Sequence, residues 1–116
     1  MFNNINEIRQ FRKKYSGKLF LSGIGTFKKL SDAEEDALKE GALSQKQKEL
    51  IALGISVSNK CYGCIEFHLT RLLDLNSNRK EILEATVVAV ALSGSTADYP
   101  ARYVIHVLEE LENNNQ

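Results

Sequence analysis

"SQKQKELIALGISVSN", residues 44–59, admits two readings, and the choice between them decides the fold. Its second half alternates Ile51, Leu53, Ile55 and Val57 with Ala52, Gly54, Ser56 and Ser58, the period-two pattern of a buried strand. Its first half pairs Ser44 with Gln47 as a capping box, and Leu50, Leu53 and Val57 then share one helical face. The capped polar start runs into the apolar part with no turn residues between, so the stretch is expected to be one helix.

Outward from that helix the spacing stays helical. Residues 4–15 carry Ile5, Ile8 and Phe11 at helical intervals and are expected to end before Ser16 and Gly17. The glycines of "SGIGTFKKL" weaken any regular assignment. Ser31 and Glu34 then form a capping pattern, with Gly41 as a stop, which predicts a short helix between them. Beyond residue 59, Ile65, Leu69, Leu72 and Leu73 mark a helix over 60–75, and "NSNRKE" breaks it and recaps through Asn78 and Glu81. "EILEATVVAVALSG" is apolar almost all round, which places that helix at the centre of the fold or at a subunit interface. Pro100 suits the first turn of a last helix carrying Tyr103, Val104, Val107, Leu108 and Leu111. The expectation is an all-α bundle of about six helices with no internal repeat.

Composition narrows the function classes. A chain of 116 residues with one proline and no linker-like run reads as a single domain, 1–116, with only the "LENNNQ" end expected to fray. Fifteen basic residues balance fifteen acidic ones, and no basic block extends beyond "FRKK", which argues against nucleic-acid binding. "MFNNINEIRQ" lacks the apolar core of a signal peptide, and no apolar run approaches the roughly 20 residues that span a bilayer. A soluble, cytoplasmic protein with no membrane partner is expected. In that reducing compartment a C-x-x-C pair is a poor staple, since so short a loop constrains the unfolded chain little. Redox chemistry or metal binding explains it better.

Both cysteines lie in "NKCYGCIEFHLTR", residues 59–71. If a helix begins near Asn59 or Lys60, then Cys61, Cys64 and His68 fall at i, i+3 and i+7 on one face. The free amides and dipole of the first turn, with Lys60 nearby, favour a thiolate, and on this ground Cys61 is the more acidic thiol. His68, one turn beyond Cys64, can exchange a proton with it directly or through a water. Two thiols beside a base permit sulfenic acid formation followed by condensation to a disulfide, or plain disulfide exchange.

Other readings compete. The thiols could simply be packed. Cys61, Cys64 and His68 could be three ligands of zinc, but a structural site wants a fourth, and His106, read as a half-buried helix residue, lies on a distant helix. In a thioredoxin-type domain "IALGISVS" would be the strand before the pair and Pro100 a facing cis-proline. The helical character of "ARYVIHVLEEL" and "RKEILEATVVAVA" opposes that topology. Tyr62 and Glu66 read as surface or cavity-lining residues.

"EGALSQKQKELIALGISVSNKCYGCIEFH", residues 40–68, resembles the core of the carboxymuconolactone decarboxylase and alkylhydroperoxidase D superfamily. The marks are a Gly-Ala-Leu entry, a Lys-Glu-Leu-Ile helix start, and E-x(11)-C-x-x-C-x(3)-H, here Glu49, Cys61, Cys64 and His68. "RKEILEATVVAVALSG" is similar to the next helix of that family, so the likeness spans about residues 20–112. It implies an all-α subunit assembling into trimers or hexamers, with neither cofactor nor metal. Members that keep both cysteines resemble peroxidases, reducing a peroxide and being re-reduced by an external dithiol or disulfide reductant. By that likeness Cys64 attacks the peroxide, Cys61 resolves the sulfenic acid, and His68 with Glu49 relays protons, so the likeness and the dipole argument name different nucleophiles. Peroxidase members often carry histidine just before the second cysteine, where this chain has Gly63. Lactone decarboxylation in aromatic degradation is the alternative activity, and a zinc-binding interaction module the second.

Overall fold

The structure, a computed structural model, describes residues 4–114. Six helices make up the fold among the described residues: α1 (Ile5–Phe20), α2 (Thr26–Ala37), α3 (Gln45–Ser58), α4 (Tyr62–Asp74), α5 (Arg79–Ser93) and α6 (Ser95–Asn114). The strand reading of residues 51–57 fails because the capping box at Ser44 forms in full. The Ser44 hydroxyl accepts from the Gln47 amide, and the Gln47 side chain accepts from the Ser44 amide. A second complete box, Asn78 with Glu81, starts α5.

The core is built by α3 to α6, with α1 laid across α4 and α6. Leu53 and Val57 of α3 meet Ile65, Leu69 and Leu72 of α4, Ile82 of α5, and Val104, Val107 and Leu108 of α6, all withdrawn from water. Each fully buried aliphatic side chain of this kind contributes about 1.5–3 kcal/mol. Long-range polar contacts pin α1: the Ile5 amide donates to Glu110, Arg9 and Arg12 reach Glu66, and Arg9 donates to Thr70.

Three expectations need correction. First, α1 runs on through Ser16 and Gly17 to Phe20, with Tyr15 and Leu19 continuing its apolar stripe along the cavity beside α2. Second, Ser31 caps nothing; it sits in the middle of α2, which starts at Thr26 behind Gly25. Third, Pro100 lies in the second turn of α6 rather than the first, since Gly94, with φ +69°, opens that helix and its carbonyl accepts from Ala97 and Asp98. Of the two places expected for α5, the centre of the fold or a subunit interface, the single chain does not fill the first, since Val87, Val88 and Leu92 are exposed on it. Of the "LENNNQ" end, residues 111–114 continue α6, and 115–116 lie outside the described residues, as do the first three of "MFNNINEIRQ". No described helix is long and apolar enough to cross a membrane.

The turn between α3 and α4 sets the site. The Cys61 amide donates to Ser56 O (2.9 Å) and the Lys60 amide to Val57 O (3.1 Å), which is a Schellman closure. Lys60 occupies its left-handed position at φ 55°. The end of α3 at Ser58 agrees with the helix expected over residues 44–59, but with no glycine at position 60 the sequence does not show the left-handed turn that follows. The helix of the cysteines therefore begins at Tyr62, two residues later than expected, with Cys61 as its N-cap.

Candidate active site

Cys61 and Cys64 are joined in a disulfide, Cα to Cα 5.2 Å, at the amino end of α4. Cys61 is the extended N-cap residue and Cys64 lies in the first helical turn, so the bond spans the end of the helix where unpaired amides accumulate. Both sulfurs, Gly63 and the edge of His68 open on a cavity of about 550 Å³ bounded by α1 and α2. Phe11, Tyr15 and Leu19 form its apolar wall and Phe67 its floor, with Glu34 and Glu35 at the α2 side.

Glu49 reaches His68 from α3. Its carboxylate is fully buried, and both oxygens stand 3.3 Å from His68 Nδ1. His68 itself is 6% exposed. With a carboxylate accepting at Nδ1, the nitrogen free to take or give a proton is Nε2. The structure thus brings Cys61, Cys64 and His68 to one cavity and places Glu49 directly behind the imidazole.

Several residues at the site were not singled out from the sequence. The Arg71 guanidinium lies 4.8 Å above the Phe67 ring, and its Nη1 is 3.9 Å from Glu49. Its position three residues past His68 continues the stripe of Cys61, Cys64 and His68, so the signal was present. Arg12 of α1 covers the same ring at 5.1 Å. Glu66 is completely buried rather than on the surface or cavity wall: Thr70 donates to it at 2.7 Å, and Arg9 and Arg12 neutralise it. Tyr62 packs edge-on against Tyr103 at 4.8 Å. His106 is exposed rather than half-buried and pairs with Glu110 at 2.9 Å.

No group of three or more His, Cys, Asp or Glu side chains among the described residues has the arrangement of a metal site.

The sequence profile of the carboxymuconolactone decarboxylase family matches residues 25–109, most of the chain and all four motif positions. The chain belongs to this family. Among solved structures, a carboxymuconolactone decarboxylase family protein from Legionella pneumophila superposes with a TM-score of 0.84 at 31% identity, covering 90% of this chain and 94% of the other. A Thermotoga maritima protein superposes at 0.91 with 27% identity over 96% of this chain and 97% of that one. A second crystal structure of the Thermotoga protein describes it as a carboxymuconolactone decarboxylase family member for which a part in the antioxidative response has been suggested. A curated relative, uncharacterized protein 4 in the cox locus of Paracoccus denitrificans, is 30% identical over 73 residues, 63% of this chain. The match spans 66% of the length of that relative. The six-helix fold is the fold of this family, and the C-x-x-C pair sits where α4 begins in it.

Proposed function

We propose that this carboxymuconolactone decarboxylase family protein is a thiol-dependent peroxidase or disulfide reductase of antioxidant type, working in a reducing cytoplasm. One observation carries the reading: the Cys61–Cys64 pair opens on the same cavity as His68, whose far nitrogen is held by the buried Glu49 carboxylate.

In the dithiol state His68 takes the proton of Cys64 at Nε2, and Glu49 stabilises the imidazolium. The thiolate attacks the near oxygen of a peroxide ROOH. The S–O bond forms, the O–O bond breaks, and the leaving alkoxide takes the proton back from His68 to depart as ROH. Cys64 is left as sulfenic acid. The Cys61 thiol then attacks that sulfur, the S–O bond breaks, and hydroxide leaves with the Cys61 proton as water. The product is the disulfide found in the structure. An external dithiol returns the two electrons by exchange through a mixed disulfide. Cys64 is the attacking sulfur in this scheme because it sits one turn from His68, and Cys61, at the N-cap, is the resolving sulfur. Gly63 leaves the approach to the pair open, with no neighbour inside 4 Å of a Cβ built there.

Assembly into trimers or hexamers is part of this reading. Between α3 and α5 runs a groove of about 540 Å³ formed by Ile51, Ile55, Val88 and Leu92 with Gly54 and Ala89, and no charged side chain lines it. A second copy offering the same uncharged ridge would cover it.

The test is single-turnover kinetics on the reduced protein. Peroxide should convert the wild type to disulfide and drive oxidation of an added dithiol. Cys64→Ser should fall to background, and Cys61→Ser should accumulate a sulfenic acid that dimedone traps. Dithiol oxidation that persists in Cys64→Ser would overturn the scheme. Lactone decarboxylation insensitive to thiol alkylation would instead place the protein with the decarboxylases.

A further inference from the structure

We infer that Arg71 is a positioning residue of this site, keeping Glu49 ionised while His68 gains and loses its proton, and that Glu35 on α2 sets how strongly it does so. The inference rests on the relay role of His68 and Glu49 proposed above.

Glu49 is fully buried, and two cationic groups stand near it: His68, which can lose its charge, and Arg71, which cannot. Without a permanent cation, the buried carboxylate would have only the imidazole beside it to offset its charge. Arg71 removes that constraint. Its charge makes the state with neutral His68 and anionic Glu49 accessible, which is the state in which Nε2 can act as a base.

The guanidinium is divided between two carboxylates. Arg71 Nη2 donates to Glu35 at 3.0 and 3.2 Å. Nη1 is directed to Glu49 but stops at 3.9 Å, and it is the buried side-chain polar atom among the described residues that has no hydrogen-bond partner. Phe67 lies beneath the guanidinium and meets the His68 ring edge-on at 5.3 Å, so a shift of Arg71 is felt at both members of the relay. Glu35 is 54% exposed, and solvent screens its hold on Arg71, whereas nothing screens Glu49. Arg71 therefore has a closer position open to it if α2 lets go. Other charges on the surrounding elements are engaged elsewhere: Arg9 and Arg12 of α1 with Glu66, Lys46 of α3 with Glu81, Lys48 with the carbonyls ending α2, and His106 of α6 with Glu110. Glu34 of α2, Arg12 and Tyr15 of α1 and the two cysteines also line the cavity.

The measurement is the NMR titration of the His68 ring in the reduced protein, with the pH dependence of thiol alkylation by bromobimane beside it. Neither needs peroxide turnover, so they stand even if the peroxidase reading falls. Arg71→Met should move the titration up by about one to two pH units. Arg71→Lys should recover part of the shift. Glu35→Gln, an exposed and structurally mild change, should move it down as Arg71 closes on Glu49. The opposite signs are the signature, since loss of packing on Phe67 would not produce them. Titrations of folded Arg71→Met and Glu35→Gln that stay within about 0.3 unit of the wild type, or that move the same way, would overturn the inference.

Discussion

Lys60 shows how much one residue contributes to placing the chemistry. It holds a left-handed conformation, φ 55°, between α3 and α4, and so turns the chain to set Cys61 at the N-cap of α4. A side chain in that region costs roughly 1 kcal/mol or more relative to glycine. Lys60→Gly should therefore raise the melting temperature by about 4 °C; calorimetry showing no gain would mean that the lysine makes compensating contacts. At the same scale Cys61, Cys64 and His68 were visible in the sequence because a helix repeats every 3.6 residues and the three share one face, whereas Glu49, on the preceding helix, was indicated only by the family resemblance. Glu66 was not visible as a buried group. The arginines that allow its burial, Arg9 and Arg12, precede it by 57 and 54 positions, and no local pattern connects them.

Among the elements, α2 stands apart. It buries none of its own residues, packs on α1, and is tied to the rest by Arg71 with Glu35 and by Lys48, whose ammonium meets the Ala37 and Lys39 carbonyls at the end of the helix. Elements with so little buried surface open at low free energy. Backbone amides of α2 should exchange with deuterium at least tenfold faster than those of α4, and Lys48→Ala should speed them further by removing the carbonyl contacts; equal protection in the two helices would contradict this. The same looseness explains why the beginning of α2 was misread. Ser31 and Glu34 have the spacing of a cap, yet a cap forms only where the chain enters a helix, and the chain had already entered at Thr26. The boxes at Ser44 and Asn78 were read correctly because strongly packed helices follow them.

For the whole molecule, the apolar ridge of α5 is the unresolved matter of energetics that assembly would answer. Val88→Glu combined with Leu92→Lys should convert the oligomer to monomer in analytical ultracentrifugation while leaving helicity unchanged; a wild type that sediments as a monomer at tens of micromolar would sink the assembly proposal. Alkaline pH probes the α4–α6 packing. Burial, with the Glu110 and Glu66 carboxylates nearby, raises the Tyr103 phenol above its usual 10.0. A raised value in the fold means stability that is intact below pH 10 and lost as pH rises through the folded value. The urea midpoint should thus drop between pH 9 and 11, and drop less in Tyr103→Phe; identical drops would exclude Tyr103 as a source. What the chain determined by itself was the helical class, the two capping boxes and the stripe of Cys61, Cys64 and His68, all consequences of spacing within about two turns. Tertiary structure alone decided the burial of Glu49 and Glu66, the division of Arg71 between Glu35 and Glu49, and the exposed face of α5. Those depend on which distant surfaces meet, and burial and charge pairing are properties of the meeting, not of any one segment.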